Sequence, residues 1–145
     1  QKTIIFSIGM SNFEEIKKTY DLLNSENAKI VMLHCVSSYP LDPANANLQV
    51  INKLKNNFDC LIGYSDHTDA IEVPIYAAAM GAQIIEKHYT INKTDDCVDQ
   101  IVSIDEKTMA ELNNKLNLLD QILGNDFLGV REVEKQAMQF RRIVN

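Results

Sequence analysis

Residues 59–68 read DCLIGYSDHT, an apolar run that passes directly into a polar loop with a histidine near its end. Residues 83–90, QIIEKHYT, have the same arrangement. The three histidines of the chain, His34, His67 and His88, each follow a run rich in Val, Ile or Leu. If these runs are adjacent parallel strands, their carboxyl ends lie side by side. That edge of a parallel sheet is where α/β enzymes place their chemistry.

A unit of strand, loop and helix recurs along the chain. Apolar runs predict strands at residues 2–6, 29–33, 59–64 and 83–86, which begin about 27 residues apart, the length of one strand–helix unit. This alternation predicts an α/β fold with a parallel sheet and right-handed crossovers. Two architectures fit four such units: an open four-stranded sheet, or half of an eight-unit barrel of about 250 residues.

Helix signals follow each predicted strand. Ser11 and Glu14 have the spacing of a capping box, and Asp42–Pro43 is typical of a helix start. A third helix is predicted to end at Gly81, and a fourth to begin near Asp105. Residues 130–144 form a last charged segment that is also predicted to be helical.

Composition limits the classes of function. The chain has 145 residues, a net charge of −6 and 46% hydrophobic residues, which is ordinary for one globular domain with a core. The basic residues form no stripe, which argues against nucleic acid as a partner, and no apolar run is long enough to span a bilayer. Cys35, Cys60 and Cys97 are odd in number and widely spaced, which predicts free thiols in a reducing cytoplasm.

Four loops follow the predicted strands: SIGM at residues 7–10, HCVSSYP at 34–40, GYSDHT at 63–68 and EKHYT at 86–90. In this order and spacing they resemble the second half of the sialic acid synthase family, which includes N-acetylneuraminate, legionaminate and pseudaminate synthases and a spore-coat polysaccharide relative. The resemblance implies that residues 1–145 form the C-terminal half, four βα units, of a TIM-type (β/α)8 barrel.

The resemblance also implies a reaction. Family members are transferases that condense phosphoenolpyruvate with the open-chain aldehyde of an N-acylated amino sugar, giving a nonulosonic acid and phosphate. A divalent cation, usually Mn²⁺ with Mg²⁺ or Co²⁺ as alternatives, binds the aldehyde oxygen. The two histidines that hold it fall on His67 and His88.

The residues themselves are compatible with that metal site. Neutral imidazole suits divalent transition metals, and two protein ligands leave positions for water and a substrate oxygen. The residues alone also fit a plainer interpretation, in which His67 and His88 are simply hydrogen-bonded at strand ends. His34 is given only a supporting role, as a core histidine or one that points into the barrel. Cys35 is interpreted as a small packing residue.

Hydroxyl groups provide the predicted anion contacts. Ser7 with Gly9, Ser37 and Ser65 stand where helix N-termini are expected to offer backbone N–H groups to a phosphate or carboxylate. By the resemblance, Ser7, Ser37 and Ser65 contact phosphoenolpyruvate, and Tyr39 shapes the substrate pocket.

Three carboxylates complete the predicted site. Asp66 is a candidate substrate contact; alternatively it orients His67 or caps a helix. Glu86 is expected at the barrel mouth as a catalytic residue that meets sugar or metal, with a salt bridge as the alternative. By the resemblance, Asp99 is catalytic, binding the amino sugar and activating water.

The sequence departs from the family pattern in two loops. Cys97–Val98 stands where the family has Gly-Pro, and Ile8 replaces a Thr. The first four barrel units and the antifreeze-like C-terminal domain of the family are predicted to be absent.

Two functions are therefore expected: the core of a nonulosonic acid synthase, or a catalytically incomplete half-barrel module that binds metal or anion or serves in assembly. Because a half barrel leaves an open sheet edge, the expected partner is a second copy or the missing N-terminal half barrel.

Overall fold

The computed structural model describes residues 2–94 and 96–142. Its four strands are β1 (Thr3–Ser7), β2 (Lys29–His34), β3 (Leu61–Asp66) and β4 (Ile84–Lys87). Its α-helices are α1 (Phe13–Ser25), α2 (Gln49–Asn57), α3 (Glu72–Ala79) and α4 (Glu106–Leu123). Turns of 3-10 helix occur at Pro43–Asn45, Gln100–Val102 and Glu132–Phe140. The predicted alternation of strands and helices is confirmed.

The strand order is that of a barrel segment. The strands pair in parallel in the order β1-β2-β3-β4, so each strand is hydrogen-bonded to its neighbours in sequence. A doubly wound open sheet reverses its order at a switch point and carries helices on both faces. Right-handed crossovers that always advance in one direction place every helix on the same face, which is the arrangement of a (β/α)8 barrel.

One face of the sheet packs against the helices. Met32, Ile62 and Tyr64 of the central strands are fully buried in one apolar cluster with Ile51 and Leu54 of α2. Because side chains alternate along a strand, the neighbours of these residues in sequence point to the opposite face.

That opposite face corresponds to the inside of the barrel. The register aligns Ser7 with Leu33, Leu33 with Gly63 and Gly63 with Ile84, so these four residues share it. At β1 this inner face is exposed to solvent, since Ile5 is 56% exposed.

Local boundaries differ from the sequence prediction in four places. Each strand ends one or two residues later than predicted, which brings His34 and Asp66 inside their strands. The predicted Ser11–Glu14 capping box is wrong: Asn12 is the N-cap of α1, with Asn12 Oδ1 accepting from Glu15 N–H at 3.0 Å and Glu15 Oε2 accepting from Asn12 N–H at 2.8 Å.

The other two differences lie in helices. Asp42–Pro43 opens only a short 3-10 turn, and α2 begins later, at Gln49. The predicted helix over residues 130–144 is a 3-10 segment, Glu132–Phe140, with residues 143 and 144 outside the described part. The ends of the later helices are confirmed: Gly81 follows α3 with φ +94°, and Asp105 caps α4.

Helix α4 fixes the long loop that follows β4. Leu112 packs with Ile104 and Ile71 in a second buried cluster. Ile104 in turn bridges Tyr89, with Ile104 N–H donating to His88 O at 2.8 Å and Thr90 N–H donating to Ile104 O at 2.9 Å. The loop that contains Asp99 is therefore tied to the residues around His88. None of the described helices combines the length and apolar character needed to cross a membrane.

Candidate active site

Three successive side-chain pairs join β3 and β4 at the carboxyl edge of the sheet. The Ser65 hydroxyl donates to Glu86 Oε1 at 2.7 Å on the inner face. Asp66 and Lys87 form an ion pair of 2.7 Å on the helix-facing side. The rings of His67 and His88 then meet edge to face, with centroids 5.4 Å apart. The predicted convergence of these two histidines is what the structure shows.

The hydrogen bonds of His67 define its tautomer. Nδ1 lies 2.7 Å from the carbonyl oxygen of Val36, and a carbonyl only accepts, so Nδ1 carries the proton of the neutral ring. Nε2 then keeps its lone pair. It lies 3.1 Å from the Tyr39 hydroxyl, which can donate to it, and 3.4 Å from the Ser65 hydroxyl, whose proton is donated to Glu86. A backbone carbonyl on the far nitrogen is one of the usual partners that orient a metal-binding imidazole, along with carboxylates and water.

Tyr39 covers both histidines. Its ring is stacked on His67 with centroids 4.2 Å apart and meets His88 edge to face at 5.6 Å. Desolvation raises the pKa of Tyr39, and negative charge at Cys35, Asp99 and Glu86 acts in the same direction. The hydroxyl therefore stays protonated and able to donate. Half of Tyr39 is exposed, which leaves its outer face available to a ligand.

Asp99 approaches the site from the loop after β4. Its Oδ2 lies 3.6 Å from His88 Nδ1, and its side chain is 45% exposed. Gln100 N–H donates to Cys97 O at 3.2 Å, which closes a turn with Val98 and Asp99 at its two central positions. With Cys97–Val98 in place of the Gly-Pro of the family pattern, Asp99 lies beside His88.

Gly9 and Ser37 meet in the loops that follow β1 and β2, and Ser7 is the last residue of β1. A methyl group on Gly9 would lie 2.5 Å from Ser37 Oγ and 2.9 Å from Cys35 Sγ, so any larger residue at position 9 requires these side chains to move. Ser7 and Ser37 are exposed. Burial raises the pKa of Cys35, which suits its interpretation as a packing residue.

One reason given for the serines was wrong. Helices α1, α2 and α3 begin at Phe13, Gln49 and Glu72, several residues beyond Ser7, Ser37 and Ser65. The hydroxyls therefore stand at strand ends, and the loops between strand and helix are too long to make them N-terminal residues of helices.

Asp66 and His34 do not join the site. The Asp66 side chain is fully buried on the helix-facing side, bonded to Lys87, and it is the Val36 carbonyl that orients His67 instead. His34 is 5% exposed and its Nε2 lies 2.8 Å from Ala46 O. His34 is thus a core histidine that does not point into the barrel.

Sequence reasoning missed two groups. The Val36 carbonyl is a backbone atom and leaves no side-chain signature. Lys87 is the last residue of β4, and a lysine is almost never fully buried unless it is paired, so its place at the end of an apolar strand is the available signal for an ion pair.

The donor set for a metal is small. Within the part of the chain that the structure describes, no three His, Cys, Asp or Glu side chains form a group that could hold a metal. The arrangement here is a pair of imidazoles, with Nε2 of His67 as a defined donor atom. This chemistry fits a divalent cation with several positions left for water or substrate.

Comparisons with known proteins agree with this geometry. The model of the NeuB family matches residues 1–127. The chain is 34% identical over 125 residues to N-acetylneuraminate-9-phosphate synthase of Mus musculus, covering 86% of this chain and 35% of that protein. It is 33% identical over 146 residues to N,N'-diacetyllegionaminic acid synthase of Campylobacter jejuni, covering 99% of this chain and 43% of that protein.

A solved structure shows the same fold. The N-acetylneuraminic acid (sialic acid) synthetase of Leptospira borgpetersenii, crystallised with citrate, superposes with a TM-score of 0.88 at 37% identity. The match covers 96% of this chain and 49% of that one. The four parallel strands are thus half of a TIM-type barrel, and the chain spans less than half the length of these relatives.

Proposed function

The chain belongs to the NeuB family, and on that premise we propose that its carboxyl-edge site serves the condensation of phosphoenolpyruvate with an N-acylated amino sugar aldehyde. The products are a nonulosonic acid and phosphate. Named relatives of the chain are synthases of sialic-type acids, which supports this class of product. The observation that carries the proposal is the His67–His88 pair, 5.4 Å apart, beside the Ser65–Glu86 hydrogen bond.

His67 and His88 would hold a divalent cation, with Mn²⁺ as the first choice and Mg²⁺ or Co²⁺ as alternatives. Such an ion supplies a Lewis acid that polarises an aldehyde oxygen. The donor chemistry supports this assignment, because the Val36 carbonyl leaves the lone pair of His67 Nε2 directed away from the backbone.

The surrounding residues have distinct tasks in this proposal. The exposed hydroxyls of Ser7 and Ser37 donate to the anionic oxygens of phosphoenolpyruvate, beside Gly9, whose lack of a side chain brings the two loops together. Ser65 holds Glu86 on the inner face, where the carboxylate accepts from a sugar hydroxyl. We leave Asp66 out of the substrate contacts because its side chain is fully buried.

Tyr39 and Asp99 close the site from outside. The exposed half of the Tyr39 ring offers an apolar face to the sugar, while its other side is packed on the histidines. Asp99 is partly exposed and lies at the edge of His88, where its carboxylate can accept a proton from water.

A second candidate function follows from the small donor set, because no three His, Cys, Asp or Glu side chains among the described residues form a group that could hold a metal. In this alternative the chain is a half-barrel module that binds metal or anion without turnover. The open face at Ile5 suits a partner that completes the barrel, either a second copy or an N-terminal half barrel. The three cysteines are free, which supports the prediction of a reducing cytoplasm.

Calorimetry distinguishes the two functions. Mn²⁺ is titrated into the chain and into His67→Ala and His88→Ala, with His34→Gln as the matched control because His34 lies in the core away from the site. Phosphoenolpyruvate is then added. Binding that is lost only in the first two variants, and strengthened by phosphoenolpyruvate, supports the synthase site. A folded wild-type chain that binds no Mn²⁺ contradicts it and favours the module.

A further inference from the structure

A buried ion pair lies directly behind the two histidines. Asp66 and Lys87 are register partners in β3 and β4, and each immediately precedes one of the histidines. Their side chains are 0% and 1% exposed, so no solvent screens the 2.7 Å contact. Since side chains alternate along a strand, this pair and the Ser65–Glu86 pair lie on opposite faces.

The Lys87 ammonium group contacts the chain on both sides of His67. Besides the Asp66 carboxylate, it donates to the backbone carbonyl of Thr68. The Thr68 hydroxyl donates to the same Asp66 oxygen at 2.8 Å and is also 3.2 Å from Ala70 O. Asp66 and Thr68, the residues on either side of His67, therefore both contact the ammonium group of Lys87. Lys87 is in turn the residue that precedes His88 in the sequence.

We propose that Asp66 and Lys87 are a positioning pair. The pair lies on the helix-facing side of the sheet and fixes the distance between the imidazole rings of His67 and His88. This inference rests on the proposed function, in which the two imidazoles hold one cation. A shift of the β3 loop relative to β4 would separate Lys87 from Asp66 or from Thr68. Both contacts are buried, and a buried charge that loses its partner has no water to replace it, so the shift is resisted.

Stability is a weaker explanation for this pair. Replacing a buried ion pair by well-packed apolar residues of similar size is often without cost to folding, because desolvation of the charges offsets their attraction. An ion pair instead imposes one geometry on the groups that it joins. Here those groups are Asp66 and Thr68, which flank His67, and Lys87, which directly precedes His88.

The test removes both charges together. In the double variant Asp66→Asn/Lys87→Met the chain is expected to remain folded, since no lone charge is left inside. Nuclear Overhauser contacts between the ring protons of His67 and His88, recorded without metal, are expected to weaken or vanish. The Kd for Mn²⁺ alone is expected to rise about 10- to 100-fold, as for other groups that orient metal ligands. Lys17→Met/Asp21→Asn, in the exposed pair of α1, is the matched control and should change neither quantity.

Each outcome is decisive. A folded double variant with unchanged ring contacts and unchanged Mn²⁺ affinity overturns the positioning role. If the wild-type chain binds no Mn²⁺, the metal assignment of the proposed function fails, and the ring contacts measured without metal still decide the positioning role. If the double variant does not fold, Thr68→Val serves instead, because it removes one bond to Asp66 and keeps the ion pair. Weaker ring contacts and a roughly 3-fold loss of affinity are then expected, and no change in either overturns the inference.

Discussion

The hydroxyl of Tyr39 lies 3.1 Å from Nε2 of His67, the nitrogen that has no proton because Val36 accepts the one on Nδ1. Stacking of the two rings at 4.2 Å holds the phenol in this place. Nε2 has a single lone pair, so it can accept from the Tyr39 hydroxyl or bind a cation, but not both. Tyr39 therefore competes with any metal for His67.

Tyr39→Phe is expected to tighten Mn²⁺ binding. The variant keeps the stacked ring and removes the competing donor, whose hydrogen bond contributes about 1 kcal/mol, so the affinity should rise about 5-fold. Calorimetry beside Tyr76→Phe, a tyrosine 61% exposed on α3, checks this. Weaker binding in Tyr39→Phe would show that the hydroxyl helps the cation instead of competing with it.

Gly9→Ala should disturb the serine loops. The added methyl group would lie 2.5 Å from Ser37 Oγ and 2.9 Å from Cys35 Sγ, so Ser37 has to move. Overpacking of this kind costs about 1–3 kcal/mol, and we expect the lower half of that range because both clashing atoms belong to side chains. Urea unfolding measures the cost, and calorimetry with phosphoenolpyruvate should show weaker binding.

A double-mutant cycle isolates the cause. In the Ser37→Ala background the 2.5 Å clash is gone, so Gly9→Ala should cost less there than in the wild-type chain. Equal costs in both backgrounds would rule out the Ser37 contact as the reason for glycine at position 9.

The stability of the fold should depend on pH through His34. Burial lowers the pKa of His34 below its ordinary value of 6.5, against a smaller opposing effect of the Ala46 carbonyl. Between these two pKa values the unfolded chain binds the proton and the folded chain does not. The stabilisation is complete above about pH 6.5 and is lost progressively as the pH falls through the pKa of the folded state.

Urea unfolding at about pH 7.5 and pH 5 tests this dependence. His34→Gln keeps a donor for the Ala46 carbonyl and does not titrate, so it should lose less stability than the wild-type chain on acidification. A loss as large as that of the wild-type chain would assign the pH dependence to other groups.

Two features were predictable because each has a direct sequence signal: the architecture, and the edge of the sheet at which the site lies. Buried parallel strands are apolar runs, and in β2 every residue after Lys29 is buried. Parallel strands in register end together, so the residues after them converge, as His67 and His88 do. The four loops in order then pointed to one family.

Other features could not be predicted for definite physical reasons. Ser11–Glu14 and Asn12–Glu15 both satisfy the capping pattern, one residue apart, and only packing selects between them. The position of Asp66 was predictable in principle, because a side chain two residues after Tyr64 faces the helices. It was missed because β3 was predicted to end at Tyr64, and beyond a strand the alternation no longer applies.

The turn before Asp99 yields the last prediction. Val98 occupies the second position of the turn that Gln100 N–H closes on Cys97 O, and it does not have a positive φ. In type I and type II turns this position favours proline, because its φ is about −60°. Its side chain is 99% exposed, so nothing is lost on replacing it. Val98→Pro should therefore stabilise the chain by about 0.4–1 kcal/mol through a less flexible unfolded state, and leave His88 and Asp99 together.

Cys97→Gly should act in the opposite direction, because Cys97 does not have a positive φ and glycine only adds freedom to the unfolded chain. Urea unfolding of both variants measures the two signs. A destabilised Val98→Pro would mean that this loop has a geometry that Gly-Pro does not fit.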